Sequence, residues 1–149
     1  MEAVILMGLQ ATGKSSFCAE RYSSTHLRLN MDMLKTRHRE AILLDAFIQA
    51  KASFVSDNTN PTRADRQRYI RCAKEAGYRV VGFYFRSSLA DSMERNSKRE
   101  GKSRVPDIGL KGTFAKLQLP EKDEGFDELH YVTFDKSGGF AVEQWNDEI

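Results

Sequence analysis

Apolar runs alternate with stretches of helical periodicity along most of the chain. Ala3–Met7 ("AVILM") predicts a buried strand, and a helix follows from about Lys14 to Tyr22. Residues 26–30 ("HLRLN") alternate in polarity and predict a short second strand. Residues 40–50 ("EAILLDAFIQA") carry apolar side chains at helical spacing, and residues 52–57 ("ASFVSD") predict a third strand ending on an aspartate. After Pro61, Thr62 is placed to cap a helix that Gly77 ends. Its inner face holds Tyr69, Cys72, Ala73 and Ala76, while Arg63, Gln67, Arg71 and Lys74 point to water. Residues 79–85 ("RVVGFYF") predict a fourth strand and residues 128–134 ("ELHYVTF") a fifth. Between them lie a highly charged helix over Leu89–Glu100 and another from Asp107 to Gln118, with Pro120 ending the region. The final fifteen residues, with Gly138 and Gly139, predict loose organisation anchored by Trp145. Strands separated by helices require crossover connections and parallel pairing. The expectation is an α/β, three-layer α/β/α domain over residues 1–149 with a mainly parallel five-stranded sheet.

Composition narrows this picture in three ways. The chain has 149 residues, 40% hydrophobic and 30% charged, with a formal net charge of +2. So small a charge gives weak whole-molecule attraction to nucleic acid, and any basic site must be a local patch. Cys18 and Cys72 lie far apart with no metal-ligand neighbours, which predicts reduced thiols in the core of a cytoplasmic, intracellular protein. No apolar run is long enough to cross a bilayer, so no membrane partner is expected. Histidines stand only at 26, 38 and 130, and no metal cluster or nucleophile–base pair is seen among them.

The chemistry lies in "GLQATGKS", residues 8–15, directly after the first strand. Gly8, Gly13, Lys14 and Ser15 satisfy G-x-x-x-x-G-K-[ST], the phosphate-cradling P-loop. Consecutive backbone N–H groups form an anion nest, and the following helix adds the positive end of its dipole. Gln10, Ala11, Thr12 and Ser16 complete the cradle. Lys14 is expected on the β- and γ-phosphates, and the Ser15 hydroxyl on Mg²⁺ or Mn²⁺. A nucleoside triphosphate, ATP or GTP, is the expected ligand.

Three more stretches accompany the loop: "LNMD" closing the second strand, "SDNTNP" closing the third, and "RNSKRE" at residues 95–100. Taken in this order from about Val4 to Phe134, they resemble the kinase domains of 5′-hydroxyl polynucleotide kinases. These P-loop phosphotransferases phosphorylate the 5′-OH end of DNA or RNA in end healing and repair. The resemblance implies that Asp32 contacts the 5′-hydroxyl as general base, although aspartate is also a favoured N-cap for the next helix. The family usually has arginine immediately before this aspartate, where this chain has Met31. Some members carry an acceptor-binding arginine three residues after it, where this chain has Lys35, with Arg37 and Arg39 beyond. Lysine binds phosphate as a point charge without the bidentate fork.

P-loop enzymes often keep a carboxylate where Asp57 closes the third strand. Such a group holds water in the metal shell or orients the acceptor. Thr59 and Asn60 are expected to line the acceptor groove. Arg95 and Arg99, four apart on the charged helix, share a face. By resemblance they belong to a helical lid over residues 89–120, with Arg99 on the donor phosphates, Arg95 as its companion, and "GKSR" (101–104) as a flexible tip. Family members are often joined to, or associated with, phosphatase, phosphoesterase or ligase domains. Two other readings stay open. One is a P-loop kinase for a small alcohol such as a nucleoside, sugar or acid. The other is a nucleotide-binding module without phosphoryl transfer, although the guanine-reading N-K-x-D of GTPase switches does not occur.

Overall fold

The computed structural model describes residues 1–149. Its strands are β1 (Glu2–Met7), β2 (Leu27–Leu29), β3 (Phe54–Asp57), β4 (Arg79–Phe85), β5 (Glu128–Phe134) and β6 (Phe140–Gln144). Its helices are α1 (Lys14–Tyr22), α2 (Met31–Leu34), α3 (Arg37–Gln49), α4 (Arg63–Glu75), α5 (Leu89–Ser97) and α6 (Asp107–Lys116), with short 3₁₀ turns at Gly101–Ser103 and Lys122–Glu124. They form one sheet in the order β2-β3-β1-β4-β5-β6. All neighbours are parallel except β5 and β6.

The central strand β1 explains the layering. Ala3 through Met7 are wholly buried, as a parallel strand covered on both faces requires. Ala3, Ile5 and Met7 join Phe54, Tyr69 and Tyr78 in the core that α3 and α4 cover. Val4 and Leu6 join Phe17, Cys18, Phe83 and Phe85 beneath α1. Helices on both sides of a parallel sheet make the expected α/β/α sandwich. The carboxyl ends of β1 and β3 bring the P-loop and Asp57 to the same edge.

Several boundaries differ from the sequence reading. The sheet has six strands, not five. Residues 135–149 are not loose, because Asp135 accepts from the Ser137 and Gly139 amides and closes a tight turn. The chain then returns as β6, antiparallel to β5. Trp145 is an anchor, edge-on to Tyr84 and stacked on Tyr131. The helix read at 40–50 starts at Arg37, where Thr36 accepts from the Arg39 amide. A four-residue helix, α2, occupies Met31–Leu34, a stretch to which the sequence reading assigned no element. The charged helix stops at Ser97 rather than Glu100, so Arg99 lies in the turn beyond it. Of the two thiols, Cys18 is buried and Cys72 only half-buried.

One buried ion pair holds the site's scaffold. Arg66, on α4, is completely inaccessible and meets Glu124 twice, through Nε at 2.7 Å and Nη2 at 3.0 Å. Its remaining nitrogen donates to the carbonyls of Asn60 and Gln118, each at 3.1 Å. Thr62 caps the same helix, as the sequence suggested, and Asp65 completes a capping box with it.

Candidate active site

The loop from Gly8 to Gly13 leaves the buried end of β1 and enters α1. Gly8 has φ +139°, and a Cβ there would lie 2.8 Å from the Phe85 carbonyl oxygen. Gly13 has φ +95°, and a Cβ would meet the Phe140 ring at 2.7 Å. The C-terminal hairpin therefore buttresses the loop and leaves room there for glycine alone. Ala11, at φ 62°, is a non-glycine residue in left-handed backbone, a strained geometry that clusters at ligand sites. No side chain caps α1, so its first amides stay available to an anion.

Lys14 is buried and turns back over the loop. Its Nζ donates to the carbonyls of Gly8 at 2.8 Å and Leu9 at 2.5 Å, and to Thr12 Oγ1 at 3.3 Å. Desolvation pushes its pKa down to about 7, with Asp57 opposing the shift and Arg99 adding to it. Thr12 is buried and donates to the Leu9 carbonyl. Gln10 reaches α6, donating to Thr113 Oγ1 at 3.0 Å.

Ser15 and Asp57 converge: the Ser15 hydroxyl donates to Asp57 Oδ2 at 2.9 Å. Two hard oxygens beside a phosphate cradle fit Mg²⁺ or Mn²⁺, ions that keep several waters and take the rest of their shell from phosphate. No group of three or more His, Cys, Asp or Glu side chains is placed to hold a metal without such help. Arg28, on β2, also binds the Asp57 carboxylate, through Nε at 2.9 Å and Nη2 at 2.7 Å.

Across a cleft of about 400 Å³ lies Asp32. It stands in the first turn of α2 but caps nothing: Asn30 caps α2, and Thr36 caps α3. Its exposed carboxylate lines the cleft with no hydrogen bond or ion pair of its own. The helix carrying it is tied down from below. Asn58 accepts from the Met31 amide at 2.9 Å and Asn30 donates to the Asp57 carbonyl at 2.7 Å. Asn58 in turn donates to the Tyr69 hydroxyl, which donates at 2.7 Å to the buried Glu40.

Gln10, Ala11, Gly13, Lys14, Ser15, Ser16, Asp32, Asp57, Thr59, Asn60 and Arg99 all line this cleft. Gly8 and Thr12, also in the loop, do not line the cleft. Asn60 is buried and serves the frame as well, donating to the Leu6 carbonyl at 2.8 Å and to Ser56 Oγ. Lys35, at φ 73°, ends α2 in solvent and is not among the lining residues. Arg95 is parted from Arg99: it donates to the Ala11 carbonyl at 3.3 Å and lies over the Phe134 ring at 4.5 Å. It faces a separate recess with Thr12, Arg86 and Thr133. Asn30 and Asn58 lie inside "LNMD" and "SDNTNP" but were given no role from the sequence, and Arg28 lies outside every motif. Their roles come from strand pairing that joins β2 to β3.

A family described as an AAA domain matches residues 4–120. The chain belongs to this family. Among curated proteins, this AAA-domain chain is 28% identical over 137 residues to the bifunctional polynucleotide phosphatase/kinase of Schizosaccharomyces pombe, a match covering 89% of this chain. It spans about a third, 34%, of the length of the curated relatives it matches. Two solved structures have the same fold. Chaetomium thermophilum Kti12 in complex with ADP-AlF3 superposes with TM-score 0.67 at 14% identity, covering 91% of this chain and 92% of that one. A sugar kinase from Janibacter sp. HTCC2649 gives TM-score 0.64 at 18% identity, covering 88% and 85%. The architecture of this AAA-domain chain is thus the P-loop kinase fold, with a sixth strand at the sheet edge. No helix is long and apolar enough to cross a membrane.

Proposed function

We propose that the chain is a 5′-hydroxyl polynucleotide kinase domain that moves the γ-phosphoryl group of ATP or GTP to a DNA or RNA 5′-OH end. One observation carries the reading: Asp32 presents an unpaired carboxylate into the same cleft as the phosphate cradle. The 28% identical relative is named for polynucleotide phosphatase/kinase activity, which supports a nucleic-acid acceptor. So does the exposed stretch after Asp32, where Lys35 and Arg39 have no acidic partner and Arg37 pairs with the buried Glu40. Clustered cations on one side of a near-neutral protein are the local patch that a polyanion requires.

The loop amides and the uncapped start of α1 hold the polyphosphate. Lys14 charges as it meets the β,γ-oxygens. Arg99 faces them from the lid side of the cleft and neutralises charge on the migrating group, as arginines do in phosphoryl transfer. Asp32 accepts a hydrogen bond from the 5′-hydroxyl and aims its oxygen at the γ-phosphorus. A new P–O bond forms there, the bond to the β,γ-bridging oxygen breaks, and the hydroxyl proton passes to the Asp32 carboxylate. A divalent ion held by Ser15, with Asp57 through water, supplies further neutralisation of phosphate charge when bound.

The test offers labelled γ-phosphate and Mg²⁺ with 5′-OH DNA and RNA oligonucleotides beside nucleosides, sugars and hydroxy acids. Transfer to the oligonucleotide end supports the proposal. Transfer only to a small alcohol, or binding of nucleotide with no transfer, refutes it.

A further inference from the structure

We propose that Arg28 is a stand-in cation at the metal position, displaced from Asp57 when a divalent ion and nucleotide load. The inference rests on the proposed nucleotide–metal reading of this site. Asp57 is 2% exposed, and a carboxylate so buried needs a counter-charge whenever no metal supplies one. Arg28 provides it with two nitrogens on a single oxygen, Oδ2, at 2.9 and 2.7 Å. Ser15 adds a third donor to that same oxygen at 2.9 Å. An oxygen with two lone pairs is then saturated.

The two kinds of donor differ in what metal loading asks of them. The Ser15 hydroxyl can keep donating to Asp57 while its own lone pairs turn to a metal. The guanidinium has no lone pair to offer and carries a full positive charge, so it repels a divalent ion brought to the same carboxylate. Arg28 also lies on the side the metal would take, with Nη2 3.5 Å from Ser15 Oγ. Its other tether is weak: Nη1 donates to Met33 Sδ at 3.1 Å, and Met33 is largely exposed. With more than a third of its side chain in solvent, Arg28 can leave without unfolding anything. Because Met33 follows Asp32 on α2, the exchange also frees one of the contacts that join the donor side to the acceptor helix. Divalent ion and guanidinium are therefore thermodynamically linked: whatever holds one on Asp57 weakens the other.

Calorimetry of the full chain with a non-hydrolysable ATP analogue tests this, once with excess Mg²⁺ and once with EDTA. The quantity read is the metal factor, Kd in EDTA divided by Kd in Mg²⁺. Arg28→Met should raise that factor about five- to tenfold over wild type, the lower range of coupling between sites. An unchanged or smaller factor overturns the proposal, and that is also the result if Arg28 is simply a phosphate ligand. Should the variant fail to fold, the wild type still decides. The Arg28 Nε–H resonance should shift and lose protection from solvent exchange with analogue plus Mg²⁺, but not with analogue alone. A resonance unmoved by Mg²⁺ while the analogue binds overturns the exchange and leaves the kinase reading standing. A wild-type chain that binds no analogue under either condition overturns both.

Discussion

Replacing Arg66 by methionine removes a guanidinium that is completely buried and engaged on every side. Three losses follow. Glu124 keeps its charge within the protein without the partner that met it at 2.7 and 3.0 Å. The carbonyls of Asn60 and Gln118 each lose a donor at 3.1 Å. Breaking one side of a buried pair costs about 3–5 kcal/mol, because the orphaned charge is the expensive part. At roughly 2–4 °C per kcal/mol for a chain near 150 residues, Tm should fall by roughly 6–20 °C. Removing both charges tests the reasoning. Arg66→Met/Glu124→Met leaves only neutral polar groups unpaired, a cost of about 1–3 kcal/mol each at most. The double variant should be more stable than Arg66→Met alone, by about 2 kcal/mol. Urea unfolding monitored by circular dichroism gives all the required free energies. A single variant losing less than about 1 kcal/mol, or a double variant losing the sum of the two singles, would refute the account.

Four further outcomes follow from the cradle. Lys14 has its pKa lowered to about 7, and polyphosphate must raise it, so nucleotide binding at pH 8 should take up most of a proton. Calorimetry in buffers of different ionisation enthalpy measures this, and zero uptake contradicts a neutral Lys14. The same shift favours the neutral form in the folded chain relative to the unfolded one, so its contribution to stability grows as pH rises from about 7 toward 10.5. Lys14→Ala should lower the transfer rate about 100-fold or more, as loss of a charge-stabilising donor does; a single-turnover assay measures it, and a tenfold or smaller loss contradicts the role given to the ammonium. Gly13→Ala should abolish nucleotide binding while leaving far-ultraviolet dichroism intact, because a Cβ meets Phe140 at 2.7 Å with φ at +95°. Normal nucleotide affinity in that variant would mean the hairpin gives way easily.

Local pattern carried most of the fold. The run from Ala3 to Met7 is apolar without alternation because helices cover both faces of β1, and that is visible in one dimension. The P-loop was legible because its spacing is dictated by the curvature of the backbone around phosphate. The edge strand β6 was not. Only Phe140 and Val142 turn inward in it, and the glycines beside them read as a loop before the Asp135 turn is known. The partners of Asp57 were hidden for another reason. Arg28 lies 29 residues away and reaches it only through the pairing of β2 with β3. Arg95 and Arg99 shared one face at helical spacing, with Arg95 read as companion to Arg99. A helix that ends at Ser97 sends one to the Ala11 carbonyl and the other to the cleft. Asp32 shows the reverse case: capping was a fair alternative from sequence, and Asn30 and Thr36 fill both caps.

The most direct test of the central claim compares wild type and Asp32→Ala on one 5′-OH oligonucleotide, following label from the γ-phosphate in a single turnover. The account predicts labelling at the 5′ end by the wild type, none on the same oligonucleotide already 5′-phosphorylated, and a loss of about 100-fold or more in Asp32→Ala with analogue affinity preserved. Near-normal turnover in Asp32→Ala, or label that ignores the 5′-hydroxyl, would contradict it.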